Sequence, residues 1–205
     1  MELGLGHLQQ GSDKWWVAPA VVANFGLEQR RELVLQGQGE FLQQGSQDTP
    51  AASLVEAGIF MKQVVRPGVL QDAPGPSVAA EYGFLLPGLG AERGLGISAA
   101  GIVSQRWSAG TVNLNAALAL TREHRADAFL GAIVEGPYEW TVRPVAELTA
   151  EQAVGGPRVV SRLIGLIWRS QERLSFDFGI RSATAGAQRI NEIRVGLTWS
   201  FGLGH

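Results

Sequence analysis

The sequence has no cysteine, almost no lysine and no long apolar run. Without cysteine, disulfide bonds, thiolate metal sites and cysteine nucleophiles are all excluded. No segment reaches the roughly 18 uninterrupted apolar residues of a membrane-spanning helix, because glycine, proline or a charged residue breaks each apolar run. A helical membrane protein is therefore excluded. A β-barrel remains compatible, since its strands present an apolar side chain to lipid only at every second position.

The chain also lacks a strong excess of charge. Its formal net charge is -2 and 45% of its residues are hydrophobic. These values argue against a disordered chain and against a protein that binds nucleic acid through a basic surface. An export signal has a basic segment followed by an apolar one, and this pattern does not follow Met1. We therefore expect no export signal in this sequence. Nothing in the composition divides the chain, which predicts a single domain over residues 1–205.

Alternation of apolar and polar residues dominates the sequence that remains. In the stretch from Ile193 to Phe201, every second residue is apolar and the residues between are polar or small, which is the period of a β-strand. The same pattern recurs along the chain between segments rich in glycine, proline and polar residues. The alternating segments are Glu2–Gln10, Trp15–Phe25, Glu32–Phe41, Leu54–Arg66, Ser77–Leu86, Leu95–Arg106, Thr111–Thr121, Phe129–Glu135, Trp140–Leu148, Val159–Trp168, Leu174–Ser182 and Ile193–Phe201.

These segments predict about twelve strands, each near the ten residues that a tilted strand needs to cross a hydrocarbon layer. No sustained helical period of apolar residues competes with them. The predicted fold class is all-β, a single antiparallel up-and-down transmembrane β-barrel with short turns. We expect the last strand to close the barrel by pairing with the weak strand from Leu3 to Gln9.

Three features favour a membrane barrel over a soluble one. The polar face of the strands is rich in small residues, lysine occurs only at Lys14 and Lys62, and aromatic residues lie near predicted strand ends. The aromatic residues expected to form interface girdles are Trp15, Trp16, Trp107, Tyr138, Trp140, Trp168, Trp199 and Phe201. The alternative is that these rings pack in the core of a soluble β-sandwich.

The repeated amphipathic strands, the turn and strand from Asn24 to Gly37, and a last strand ending in an aromatic residue resemble bacterial outer-membrane barrels. The nearest resemblance is to the "MetA-pathway of phenol degradation" transporter family. It implies a twelve-strand outer-membrane channel or uptake protein for ions or small solutes, including aromatic ones, and it supplies no binding residue. The chain departs from the pattern in having residues after Phe201 and no export signal.

Enzyme motifs are largely missing. Ser98 misses the G-x-S-x-G spacing by one position and lies in a strand pattern. His7, His124 and His205 are too scattered to form a metal site. His124 and Asp127 could assist a barrel hydrolase, but a solvated loop explains them better. We therefore expect no catalytic residue, no metal and no cofactor.

The charged residues on the polar face are the most informative set. In a membrane barrel they would point inward, where they either fill and stiffen a closed barrel or line a narrow pore and set its selectivity. The predicted pore-lining residues are Glu32, Glu56, Lys62, Glu81, Arg106, Arg143, Glu147, Arg169, Asp177, Arg181, Glu192 and Arg194. Within this set, Arg181, Arg194, Asp177 and Glu192 on the last two strands are the predicted constriction.

These expectations lead to three alternative functions. The first is a monomeric channel in the bacterial outer membrane that contacts lipid, or detergent in solution, and passes ions and small solutes. The second is a closed structural barrel without conductance. The third is a soluble, lipocalin-like ligand-binding barrel, which would fold in plain buffer.

Overall fold

The structure is a computed structural model that describes residues 1–45, 50–90 and 93–201. Twelve β-strands and one short 3₁₀ turn, Val69–Gln71, make up its regular structure. Among the described residues, no helix is long and apolar enough to cross a membrane. The strands are β1 Glu2–Gln10, β2 Asp13–Glu28, β3 Arg31–Gln44, β4 Ala52–Arg66, β5 Ser77–Leu85, β6 Gly96–Trp107, β7 Gly110–Leu120, β8 Ala126–Glu135, β9 Val142–Ala153, β10 Arg158–Gln171, β11 Leu174–Ala185 and β12 Gln188–Trp199.

The strands form one closed barrel in which each strand pairs antiparallel with its neighbours in the sequence. The barrel closes where β1 pairs with β12, with Leu3 opposite Leu197 and Gly6 opposite Arg194. The terminal amino group of Met1 also donates a hydrogen bond to the carbonyl oxygen of Trp199, 3.0 Å away. The predicted fold class and the predicted pairing of the last strand with the first are both confirmed.

An up-and-down barrel with an even number of strands brings both chain ends to the same rim. We call this rim the terminal end; it also carries the connections at residues 29–30, 67–76, 108–109, 136–141 and 172–173. The opposite rim, the distal end, carries residues 11–12, 86–90, 93–95, 121–125, 154–157 and 186–187 and the connection between β3 and β4. The predicted loop from Gln43 to Ala52 is that last connection, and residues 46–49 of it lie outside the described residues.

The two faces of the sheet are inverted relative to a soluble barrel. Large apolar side chains cover the outside: Leu118 is 69% exposed, and Leu130 and Ile164 are exposed on the same face. Val17, which points inward, is only 3% exposed, and Val34 and Phe60 are also buried. An apolar surface that extends around a whole barrel is not tolerated in water but is what hydrocarbon requires.

Irregularities interrupt the pairing near the distal end, and two of them are bulges in β2 and β4. In β2 the register shifts between Val17 and Ala20, around the cis peptide bond that precedes Pro19. In β4 the shift lies opposite Gly37 and includes Glu56, whose φ of 55° is unusual for a residue with a side chain. A bulge re-aims the side chains of the strand that carries it.

Several predicted boundaries differ from the structure. The predicted strand from Trp140 to Leu148 runs instead from Val142 to Ala153, because the backbone N–H of Trp140 donates to the carbonyl oxygen of Pro137 at 3.1 Å and closes a turn. β12 ends at Trp199, so Phe201 lies beyond the strand and its ring packs edge-on against that of Trp199.

The aromatic residues of the predicted girdles divide into two groups. The larger group is exposed near strand ends, as interface girdles require, and comprises Trp16, Trp107, Trp140, Trp168, Trp199 and Phe201. The girdle prediction is wrong for Trp15 and Tyr138. Trp15 pairs with Leu8 on the inward face, and Tyr138 lies in the connection between β8 and β9 beneath three arginine side chains.

Candidate pore and its charged clusters

The register places the charged residues of the polar face inside the barrel. Glu32 lies opposite Lys62, and Lys62 lies opposite Glu81, on the face that carries the buried Val34 and Phe60. The same face carries the other predicted residues that lie in regular strand pairing, namely Arg106, Arg143, Glu147, Arg169, Asp177, Arg181, Glu192 and Arg194. Glu56 sits in the β4 bulge instead. Placement inside the barrel is a geometric fact, whereas a role in lining a conducting pore stays a prediction.

Glu192 is the centre of a compact ion-pair cluster. Its carboxylate accepts a hydrogen bond from Arg181 Nε at 2.8 Å and two from Arg194, from Nε at 2.6 Å and Nη2 at 3.0 Å. The Glu192 side chain is 5% exposed, whereas that of Arg194 is 47% exposed. One buried carboxylate therefore holds two cations, and one of these cations keeps access to the lumen. We call Arg181, Glu192 and Arg194 the central cluster.

Asp177, the fourth residue of the predicted constriction, lies beside this cluster without joining it. It pairs in register with Gly196, and its carboxylate occupies the space that a side chain at that position would need. Among the described residues it forms no ion pair with an arginine. The absence of a side chain on Gly196 is thus what lets the Asp177 carboxylate lie flat on β12.

Acidic residues of other strands act on the central cluster as well. Arg194 on β12 experiences the negative charge of Glu147 on β9 and of Glu56 on β4, in addition to that of Glu192. β4 and β9 lie on different sides of the barrel from β12. Acidic residues of β4 and β9 therefore add to the charge of Glu192 in compensating the Arg194 guanidinium.

Apolar residues inside the barrel are the feature that sequence reasoning missed. Val17, Val34, Val55 and Phe60 are buried and point inward. On β10, the inward residues Leu163 and Ile167 are apolar as well, although Arg169 on the same face is charged. Strict alternation of polar and apolar residues could not have revealed them, because an isolated apolar residue on the polar face only weakens the alternation and does not show that the residue is buried inside. They occupy part of the space inside the barrel.

A second charged cluster lies at the terminal end, around the ring of Tyr138. The guanidinium carbons of Arg106, Arg143 and Arg169 lie 4.0, 5.4 and 5.1 Å from the ring centroid, within cation–π range. We call these three residues and Tyr138 the arginine cluster. Arg143 Nη2 also lies 3.4 Å from Glu135 Oε2, and Arg169 Nη2 donates to the carbonyl oxygen of Glu139 at 3.4 Å.

Sequence reasoning found the three arginines but assigned Tyr138 to the interface. The turn that begins at Gly136 and Pro137 carries Tyr138 to the arginines, and Arg143 Nη1 lies 3.5 Å from the carbonyl oxygen of Tyr138. No local sequence pattern predicts that Tyr138 contacts all three arginines, because the arginines come from β6, β9 and β10. Arg143 is close to Tyr138 in the sequence, but Arg106 and Arg169 reach the ring only once the strands have paired.

The residues weighed for catalysis do not come together as a site. Ser98 lies within β6, facing inward, while His124 lies in the distal connection between β7 and β8. Within residues 1–45, 50–90 and 93–201, no group of three or more histidine, aspartate or glutamate side chains is arranged to hold a metal ion.

No protein-family model and no curated protein sequence matches this chain. Solved structures do match it. An outer membrane channel from Pseudomonas putida F1 aligns with a TM-score of 0.68 at 9% identity, over 98% of this chain and 95% of the other. The KdgM porin in complex with disordered oligogalacturonate aligns with a TM-score of 0.64 at 9% identity, over 98% and 100%. The CymD monoaromatic hydrocarbon channel aligns with a TM-score of 0.58 at 9% identity, over 100% and 88%.

These alignments define the class of fold. The chain has the closed twelve-strand β-barrel fold that it shares with outer-membrane porins and channels. The channels that match include one for monoaromatic hydrocarbons, so the resemblance read from the sequence is confirmed at the level of the fold. At about a tenth of residues identical, the likeness extends to the fold and no further.

Proposed function

We propose that this protein is a monomeric channel of the bacterial outer membrane that passes ions or small solutes through a narrow lumen. The observation that carries the proposal is the central cluster, a charged constriction inside a barrel whose outer face is apolar. Charged side chains are costly in a closed apolar interior but are the usual lining of a selective pore. The fold shared with porins and channels supports the same function.

Space for water beside the constriction and between it and the terminal end supports conduction. A cavity of about 180 Å³ borders Arg194, Glu192 and Gln38. A second cavity, of about 370 Å³, borders Lys62 and Asn113 nearer the terminal end. Polar residues line both of them, so water would occupy them. Arg194, half exposed beside the smaller cavity, is the residue that a permeating ion would meet.

Single-channel recording in planar bilayers tests the proposal. The variant Arg181→Ser/Arg194→Ser removes two positive charges and two long side chains from the constriction. Conductance should rise and the reversal potential in a salt gradient should shift toward cation preference, because Glu192, Glu147 and Glu56 then dominate the local field.

The matched control is Arg173→Ser/Arg189→Ser. It removes the same charge from an exposed turn and from an outward-facing, exposed position on β12. It should leave conductance and ion preference close to those of the unmodified protein. If the lumen variant and this control behave alike, the central cluster is not the constriction.

A closed structural barrel is the second candidate, favoured by the buried inward-facing Val34 and Phe60. It predicts a folded, detergent-dependent protein that gives no channel events even after the Arg181→Ser/Arg194→Ser change. A soluble ligand-binding barrel predicts instead a folded monomer in buffer without detergent. We propose no catalytic role for any residue.

A further inference from the structure

The arginine cluster at the terminal end lies next to a cavity that the constriction does not use. The cavity measures about 610 Å³, within the range of small-molecule sites, and opens at the rim. Arg106, Trp107, Tyr138 and Trp140 line it together with the exposed Asp72 and Glu139. Arg106 and Tyr138 lie on the lumen side of this cavity, and the exposed Trp107 and Trp140, which also belong to the outer girdle, border it at the rim.

Neither Arg106 nor Arg169 has an anionic partner among the described residues, and Arg106 also lacks a backbone acceptor such as the one that Arg169 finds at Glu139. In the part of the chain that the structure describes, the Nε of Arg106 is buried without a hydrogen-bond acceptor. The Nε of Arg143 is likewise buried and without an acceptor, although its Nη2 lies near Glu135. Buried guanidinium N–H groups without acceptors are costly. A ligand that supplies the missing acceptor would remove this cost.

The positive charge of the cluster is only partly compensated. Three guanidiniums surround Tyr138, and the nearest carboxylate that pairs with one of them is that of Glu135. Asp72 and Glu139 are exposed at the rim, where solvent screens their charges. The inner side of the cavity therefore attracts an anion.

From this geometry we propose that the rim cavity binds small organic acids that have an apolar body. The carboxylate lies against Arg106, which can present a planar pair of donors to it, and the apolar body packs against Trp107 and Trp140. The ring of Tyr138 holds the three guanidiniums together in the absence of ligand. The site goes beyond the proposed channel function, because binding at the rim does not require conduction.

Isothermal titration of the detergent-solubilised protein tests the proposal, with sodium benzoate as the probe. Benzyl alcohol has the same ring without the charge, and sodium acetate has the charge without the ring. Benzoate should bind at least tenfold more tightly than either compound, because benzyl alcohol lacks the carboxylate that contacts Arg106 and acetate lacks the ring that packs against the tryptophans. Equal affinity for benzyl alcohol, or for acetate, would overturn the proposal, as would the absence of benzoate binding.

Variants then locate the site. Arg106→Gln should weaken benzoate binding by about 10- to 100-fold, the usual effect of losing a hydrogen bond to a charged group. The matched control, Arg173→Gln, changes an exposed arginine in a turn at the same rim and should bind benzoate normally. Unchanged binding in Arg106→Gln would overturn the assignment.

The comparison of ligands on the unmodified protein keeps the proposal testable if Arg106→Gln does not fold. The outcome is also separable from that of the channel proposal. A protein that binds benzoate and shows no channel events refutes conduction alone. A protein that conducts ions and does not bind benzoate refutes the rim site alone.

Discussion

The central cluster makes a quantitative prediction about stability. In Glu192→Gln the carboxylate that accepts three hydrogen bonds from Arg181 and Arg194 is neutralised. Removing one partner of a buried ion pair costs about 3–5 kcal/mol. Because the side chains of Arg181 and Arg194 are 20% and 47% exposed and can be rehydrated in part, we expect about 3 kcal/mol.

The double-mutant cycle with Arg181 isolates the pairwise interaction. Arg181→Gln removes the hydrogen bond from Nε, 2.8 Å long, and should cost about 2 kcal/mol. In Arg181→Gln/Glu192→Gln that hydrogen bond can be lost only once, so the double variant should cost less than the two single changes together. The expected coupling is about 1–2 kcal/mol.

The assay is urea unfolding of the barrel reconstituted in detergent or lipid, followed by tryptophan fluorescence. The control cycle uses Glu28 and Arg31, whose atoms lie 3.7 Å apart in a turn and whose side chains are 66% and 50% exposed. Exposed pairs of this kind contribute little, so the coupling there should be near zero. Additive costs for Arg181 and Glu192, with a coupling below about 0.5 kcal/mol, would refute the interpretation of the cluster.

Two further predictions concern packing and the lipid-facing surface. Gly83→Ala should strongly destabilise the barrel, because a side chain there would meet the backbone of Ile59 and Phe60. Gly101→Ala is the control and should leave stability nearly unchanged, because Gly101 faces open space. Similar urea midpoints for the two variants would contradict this packing. Leu130→Arg on the outward face of β8 should cost about 2–4 kcal/mol of stability in lipid, whereas Val154→Arg in a distal connection should be tolerated. Equal yields of refolded Leu130→Arg and Val154→Arg in phospholipid vesicles would contradict a lipid-facing β8.

The sequence alone was sufficient for the barrel because alternation is local. In β7, Leu114, Leu118 and Leu120 lie outward and Asn113 and Asn115 inward, as the pattern predicts. Closure was also predictable, since twelve strands leave the first and the last to pair with each other.

The details that local alternation does not encode were missed. The bulge at Glu56 depends on how β3 and β4 fit together around Gly37, and the inward Phe60 depends on the space that Gly83 leaves open. The position of Tyr138 depends on arginines contributed by three strands. Each of these features depends on contacts between different strands, so no single stretch of sequence predicts it.

The inversion of the barrel is the claim on which the whole interpretation depends, and two adjacent residues of β7 test it. Ala117 pairs with Phe129 on the inward face, and Leu118 is 69% exposed on the outward face. Because the chain has no native cysteine, Ala117→Cys and Leu118→Cys each introduce a single thiol.

The measurement is labelling of each variant, reconstituted in phospholipid vesicles, with a water-soluble thiol reagent, with labelling in denaturing detergent as the reference for full reaction. Lumen water should reach the thiol of Ala117→Cys, and lipid should shield the thiol of Leu118→Cys. We therefore predict modification of Ala117→Cys and protection of Leu118→Cys. Protection of Ala117→Cys together with rapid modification of Leu118→Cys would contradict the account, because the apolar face would then be in water.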